Sequence, residues 1–342
     1  MQTTLLSQFL RDGNPDTLWI ADENSKPLLD TGLQFSGVVF SNRWDIAQAA
    51  EARGIRSEFC DFELAAGKRQ YSRIVYPVSK EKAAVHHIIN CAPGILREGG
   101  ELLLLGGKTS GIKTYAQKAA QRFGCAKQLQ KHGSDYLSRS QARDTSLGPE
   151  LDDSEYPQLR QLDALGGLYS KPGLFGWNKI DTGSALLASH FDEHLPAGEI
   201  RIVDLGCGYG YLSTQLARAA GQDCRPFIEA TDNNAAALLA CEKNFQAREI
   251  AGRVMAGDAG SELESKSADL LVCNPPFHQG FQVEGDLTDR FLGQAARILK
   301  KGGTALFVVN EFIPLEKKSQ ALFQQVVRLN KEKGFCVYRL TR

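Results

Sequence analysis

Two kinds of apolar pattern alternate along this chain, and their order predicts its elements. In the second half, IRIVDLGC (200–207), PFIEATD (226–232), ADLLVCN (268–274) and TALFVVN (304–310) are short apolar runs closed by glycine, asparagine or aspartate. Runs of that kind suit strands of a parallel sheet covered on both faces. Between them, YLSTQLARAA (211–220), NAAALLACEKNF (234–245) and LTDRFLGQAARIL (287–299) place apolar residues at helical spacing, and KKGG (300–303) reads as a turn. The last stretch, VVRLNKEKGFCVYRL (326–340), reads as two strands around a Lys-Gly turn, an antiparallel hairpin on the sheet's edge. Strand and helix alternating at this spacing predict an α/β fold with an open, mostly parallel sheet.

The first half repeats the tail of that pattern. Residues 71–138 give strand, helix, an REGG turn, strand, helix and a closing hairpin around His132-Gly133. REGGELLLLG (97–106) faces KKGGTALFVV (300–309), and RIVYPV (73–78) faces LLVCNPP (270–276), with Tyr76 where the second copy has Asn274. The expected architecture is therefore two tandem Rossmann-like α/β domains that arose by duplication, each a mostly parallel sheet with an antiparallel C-terminal hairpin. The expected division is 1–165 and 166–342, across a loop-rich, acidic connection at 140–172. The first copy carries no glycine-rich loop after its first strand, TLWIAD (17–22), so it is expected to be non-catalytic.

Composition narrows the function classes. Forty basic and forty acidic side chains give a formal net charge of zero, so any nucleic-acid partner has to be argued from a site rather than from bulk charge. Eight cysteines stand apart with no C-x-x-C pair, which indicates neither a zinc cluster nor a disulfide scaffold. No metal is expected. MQTTLLSQFL at the start lacks a basic region ahead of a long apolar one, and no apolar run approaches the roughly 20 residues of a membrane span. A soluble cytoplasmic protein, with no membrane partner, is the expectation.

The chemistry begins at VDLGCGYGYLS. Asp204, Gly206, Gly208 and Gly210 fall at the end of the first strand of the second copy, where open α/β sheets bind ligands and glycines let the backbone approach closely. The spacing is G-x-G-x-G, not the G-x-G-x-x-G of dinucleotide folds, and an aspartate there repels a pyrophosphate. A cationic ligand suits it better, and S-adenosylmethionine carries a sulfonium and an amino group. Asp232 ends the next strand, where a carboxylate either takes both ribose hydroxyls or caps the following helix. Asp258 falls at the end of the third, either accepting from an adenine amino group or serving as a turn aspartate.

Asn274-Pro275-Pro276-Phe277 closes the fourth strand. An exocyclic amine on a base is a poor nucleophile, because its lone pair is delocalised into the ring. The Asn274 carbonyl accepting one N–H and the Pro275 carbonyl the other would hold that nitrogen in attack geometry. Two prolines fix the backbone, and Phe277 offers a face for the base. His278 either meets the base or a phosphate, or is a solvent-facing or capping residue. No general base is required, since nitrogen loses its proton readily once cationic.

DLGCGYG followed by NPPF resembles the amino methyltransferases of adenine N6, guanine N2 and glutamine amides. With PGLFGWNKIDTGSALL ahead of the loop and ILKKGGTALFVVN behind it, the chain resembles the bacterial ribosomal RNA guanine-N2 methyltransferases, from about residue 170 to 342. The resemblance implies S-adenosylmethionine as cofactor, with Gly210 among the residues that bind it, Asp204, Gly206 and Gly208 at its methionine part, Asp232 at its ribose and Asp258 near its adenine. Phe175, Asp181 and Gly183 match the stretch that lies over the cofactor, with Trp177 an aromatic that either stacks on a base or packs. Asn274, Pro275, Pro276, Phe277 and His278 would meet the guanine. The implied substrate is 16S rRNA, within an assembled small ribosomal subunit and with the enzyme a monomer. The alternatives are 23S rRNA of the large subunit, adenine N6, or a protein glutamine. Lys68, Arg69 and Arg73, Lys80 and Lys82, and Lys317 with Lys318 are candidate RNA contacts, which would make the first copy an RNA-positioning module; the other reading gives it a purely structural role.

Overall fold

The computed structural model describes residues 2–22, 25–64, 71–143, 147–276 and 281–342, with the backbone alone at 2–4 and 281–286. The chain forms two compact units, Met1–Gln158 and Leu159–Arg342. The division falls before the expected 165/166 boundary because Leu159 and Leu162 already pack against Leu165, Leu168 and Tyr209 of the second unit.

In chain order the first unit contains α1 (Gln2–Leu10), β1 (Thr17–Ala21), α2 (Lys26–Asp30), β2 (Val38–Ser41), α3 (Trp44–Glu51), β3 (Arg56–Phe59), β4 (Tyr71–Pro77), α4 (Lys82–Ile95), β5 (Leu96–Gly107), α5 (Ile112–Arg122), β6 (Gln128–His132) and β7 (Asp135–Gln141). The second contains β8 (Arg160–Leu162), β9 (Leu168–Ser170), α6 (Thr182–Ala188), β10 (Gly198–Leu205), α7 (Tyr211–Ala219), β11 (Cys224–Asp232), α8 (Ala235–Ala247), β12 (Gly252–Ala256), β13 (Ala268–Cys273), α9 (Phe281–Ile298), β14 (Leu299–Asn310), α10 (Leu315–Ser319), β15 (Gln325–Glu332) and β16 (Phe335–Thr341). Each unit has one seven-stranded sheet, ordered β3-β2-β1-β4-β5-β7-β6 and β12-β11-β10-β13-β14-β16-β15. The first five strands of each are parallel, and the final hairpin joins antiparallel. β8 and β9 pair in a small separate sheet inside the stretch expected to be loop.

Alternation along each strand sends successive side chains to opposite faces. Val203, Leu205, Leu271, Cys273 and Phe307 pack beneath α9, whereas Ile202, Leu270, Val272, Leu306 and Val308 pack beneath α7 and α8. Each fully buried side chain of this size contributes about 1.5–3 kcal/mol, so both faces of the sheet are core. Among the described residues no helix is long and apolar enough to cross a membrane.

Register corrects two sequence expectations. REGG and KKGG are not turns ahead of strands but irregularities inside β5 and β14, where pairing slips between Tyr71 and Arg73 and again between Ala268 and Leu270. Gly99 and Gly302, at φ 74° and 80°, turn the backbone there. The ladder also moves the counterpart of Asn274. Tyr76 faces Leu104 as Cys273 faces Phe307, so Pro77, not Tyr76, stands where the second unit has Asn274. Matching Pro77 to Pro275 by residue type displaces the alignment by one. The same ladders place Trp19 at the position of Asp204 and Ser41 at that of Asp232.

Candidate active site

The carboxyl edge of the second sheet gathers the residues singled out by sequence. Gly206 and Cys207 both donate their N–H groups to the Thr231 carbonyl, at 2.9 and 3.0 Å, which folds the loop after β10 across the end of β11. Gly206, Gly208 and Gly210 have φ of 82°, 55° and 84°, the left-handed region that glycine enters without steric cost. Gly210 has a second reason, since a Cβ there would lie 2.8 Å from Cys241 Sγ. Gly208 is open, with nothing within 4 Å of its notional Cβ.

Asp204 is fully buried. Its Oδ2 accepts from the N–H and Oγ of Ser213 at 3.0 and 2.6 Å, which ties β10 to the first turn of α7, while Oδ1 is buried without a partner. Burial, reinforced by the charge of Asp232, raises its pKa to about 6 against the pull of the Ser213 hydrogen bonds. Asp232 takes the Gly208 N–H on Oδ2 and the Asn234 N–H on Oδ1, both at 2.9 Å. It does not cap α8; Asn234 does, accepting from the Ala236 N–H at 2.9 Å. Asp258 is held by a fork from Arg290 of α9, at 2.8 and 2.7 Å. Arg290 had no motif to mark it in the sequence.

Asn274 lies one residue beyond β13, half-buried. Its Nδ2 donates to Asp181 Oδ2 at 2.9 Å and to Ser184 Oγ at 2.8 Å, and its Oδ1 is buried without a partner. A carboxylate can only accept, so this arrangement fixes which end of the amide faces Asp181. Asp181 is itself the N-cap of α6, accepting from the Ser184 N–H at 2.7 Å. One short helix start therefore clamps the amide of Asn274. Ser184 was not predicted, although Asp181-Thr182-Gly183-Ser184 carries a helix-start signal.

Pro275 is buried and Pro276 exposed. Phe277 and His278 lie outside the described residues. Gly183 is buried, and a Cβ on it would meet the Phe335 ring at 3.0 Å, so its smallness has a packing cause. Phe175 is 55% exposed. Trp177 packs on the cluster around Leu174 and Tyr209, with the Arg160 guanidinium 5.4 Å over its ring, which favours packing over base stacking.

Residues 166–339 match the family described as the methyltransferase small domain. A ribosomal RNA small subunit methyltransferase C from Pseudomonas putida is 31% identical over 278 residues, spanning 78% of this chain and 77% of that one. The chain belongs to this family. The protein of the same name from Alcanivorax borkumensis is 29% identical over 274 residues, 78% of this chain and 79% of that one. In fold the chain is similar to a T. Thermophilus 16S rRNA N2 G1207 methyltransferase solved with AdoMet and guanosine. The two align with a TM-score of 0.80 at 22% identity, over 99% of this chain and 91% of that one.

Within this family member, Asp204, the glycine loop, Asp232, Asp258, Asp181 and Asn274 all belong to the second unit. The basic residues proposed for RNA contact are less uniform. Lys68 and Arg69 lie outside the described residues. Arg73 is not available to a phosphate as expected, because it is enclosed by Asp12 and Glu101, with its Nε 2.9 Å from Glu101 Oε1, and lies 6.0 Å from the Phe9 ring. Lys318 pairs with Asp289 at 2.7 Å.

Proposed function

We propose that the second unit transfers the methyl group of S-adenosylmethionine to the exocyclic N2 amine of a guanosine in 16S rRNA of the small ribosomal subunit. The observation that carries this reading is the clamped amide of Asn274, with both donors committed and a buried carbonyl oxygen open. Such an oxygen is an acceptor without a donor, and an unpaired buried acceptor costs about 1–3 kcal/mol. An incoming amine N–H relieves that cost.

The residues fit the cofactor. Asp204 Oδ1 is a buried carboxylate oxygen lacking a partner, as an ammonium group requires. Gly208 leaves its side open for the methionine part, Asp232 stands at the end of β11 for the ribose, and Asp258 beyond β12 for the adenine, with Phe175, Asp181 and Gly183 in the stretch over it. When bound, the cofactor supplies an electrophilic methyl on a sulfonium. Asn274 Oδ1 accepts one amine hydrogen and the Pro275 carbonyl the other, turning the nitrogen lone pair out of conjugation. As that nitrogen becomes cationic, both acceptors strengthen, which is stabilisation confined to the transition state. Asp181, accepting from the far end of the same amide, polarises Oδ1 further. The proton then leaves to water. Phe277 and His278 complete the guanine site in this reading.

The relatives carrying the name small subunit methyltransferase C support the choice of 16S rRNA over 23S rRNA, adenine or glutamine. The enzyme is proposed to act as a monomer on the assembled subunit, with the first unit positioning RNA rather than taking part in the chemistry. The test is transfer of tritiated methyl to small subunits, large subunits and naked rRNA from cells lacking the gene. Label on small-subunit rRNA that digests to N2-methylguanosine and disappears with Asn274→Ala is expected. Label confined to large-subunit rRNA overturns the choice of particle, and label on naked RNA in preference to subunits overturns the assembled substrate.

A further inference from the structure

The first unit keeps one acidic residue of the cofactor series, and a tyrosine of its own chain sits on it. Asp61 and Asp258 stand at the same place. Ser41 pairs with Phe59 as Asp232 pairs with Ala256, and each aspartate follows two residues later. The backbone repeats as well. The next residues, Phe62 and Ala259, are both left-handed non-glycines, with φ of 54° and 52°, an uncommon conformation to find twice by chance. The neighbouring helices agree, since His87 of α4 and Arg290 of α9 stand level when counted back from Ile95 and Ile298 at the helix ends.

What differs is the occupant. In the second unit Arg290 forks onto Asp258. In the first, Asp61 Oδ1 accepts from the Tyr156 hydroxyl at 2.7 Å, and both residues are buried, at 5% and 1% exposure. The His87 ring lies 5.1 Å from the Tyr156 ring at an interplanar angle of 31°, and its Nε2 meets the Phe62 carbonyl at 3.0 Å. A buried tyrosine needs some acceptor for its hydroxyl. The specific point is which acceptor it has. A flat ring with a donor at its rim, set against this carboxylate, is what an adenine presents through its amino group.

The segment that delivers Tyr156 is fastened rather than slack. Ser154 and Glu155, immediately before it, are both left-handed, at φ 56° and 55°. Asn90 grips Leu151 from both sides, donating to its carbonyl at 2.9 Å and accepting from its N–H at 2.8 Å. Gly148 donates to the Arg122 carbonyl at 3.0 Å, and Arg122 Nη1 donates back to the Gly148 carbonyl at 2.7 Å. The His86 Nδ1 lies 2.5 Å from the Asp152 carbonyl.

We infer that Tyr156 occupies, in the first unit, the place that a nucleoside's adenine takes in the second, so that the first unit carries an adenine slot filled by its own chain. The inference rests on the reading of Asp258 as the adenine-side residue. It explains why Asp61 persists where Trp19, Ser41 and Pro77 have replaced the other three positions.

The test uses the full chain, with Tyr156→Ala to empty the slot. The variant is expected to melt roughly 10 °C lower, and millimolar 4-methylphenol, the missing side chain as a free molecule, to restore several degrees to it and none to the wild type. Calorimetric titration with adenosine is expected to count one more site per chain in Tyr156→Ala than in the wild type, and Asp61→Ala added to it to remove that site. Because both chains share one second unit, the difference stands whether or not that unit binds the nucleoside; failure of the proposed function lowers both counts together. Equal adenosine counts overturn the inference, whether or not 4-methylphenol restores the melting point. If Tyr156→Ala does not fold, the same count on Tyr156→Val, which keeps a small apolar group in the core but vacates the place of the ring, decides it.

Discussion

At the scale of single residues, the site turns on which atoms of Asn274 are committed. Asn274→Ala removes the acceptor and is expected to lower kcat by about 10²–10³, leaving cofactor affinity within about twofold by calorimetry. Ser184→Ala removes one of two acceptors from Nδ2, so the amide swings rather than disappears. A fall in kcat of roughly tenfold is expected, with KM for the cofactor unchanged, and Ser184→Thr restoring part of it. Asp181→Asn keeps a competent N-cap but removes the charge behind the amide. Its loss should fall on kcat and not on melting temperature; an equal loss of both would assign Asp181 to structure alone. Asn274 was legible in the sequence because two prolines follow it. Ser184 was not, because a serine inside a short helix start has no spacing rule that points to a residue 90 positions away.

At the scale of elements, the proposed cofactor site at the loop between β10 and α7 predicts that cofactor binding is coupled to pH through Asp204. Its folded pKa, about 6 against 3.8 for the free group, is raised by burial. The folded chain therefore holds this proton more tightly than the unfolded one. Without cofactor, stability at this group rises as pH falls from above 6 toward 4, by up to about 3 kcal/mol. Binding of a cation works in the opposite sense, since it needs the ionised form. Cofactor affinity should fall about tenfold per pH unit below 6, measured by calorimetry between pH 7.5 and 5, and Asp204→Asn should flatten that dependence while weakening binding. The parallel strands and this loop were legible because apolar runs ending in glycine have few alternatives. Register was not. REGG and KKGG look like turns until the ladder is seen to continue through them, and Pro77 looks like the partner of Pro275 until hydrogen bonding sets it beside Leu105. β8 and β9, three residues each, are too short to leave a pattern.

At the scale of the whole molecule, two sheets share strand order and register but differ at the ends that do chemistry. Where the second unit has Asp204, the first has Trp19, fully buried and edge-on to Phe35 at 6.1 Å between ring centroids. An indole there is part of the packed core, and Ser41 donates its hydroxyl to the Ala21 carbonyl at 2.8 Å where the second unit has the Asp232 carboxylate. The two sheets thus keep the same strand order while the residues at their carboxyl edges differ, and the proposed assignment of cofactor binding to the second unit makes a count testable. The chain is expected to bind one S-adenosylmethionine, counted by titration calorimetry. Asp232→Ala, which removes the acceptor of the Gly208 N–H, should reduce the count to none at accessible concentrations. Ser41→Asp should leave it at one, because a restored carboxylate beside an intact Trp19 has no loop to work with. A count of two in the wild type, or a binding site surviving Asp232→Ala, would place cofactor binding in the first unit and reverse the assignment of roles.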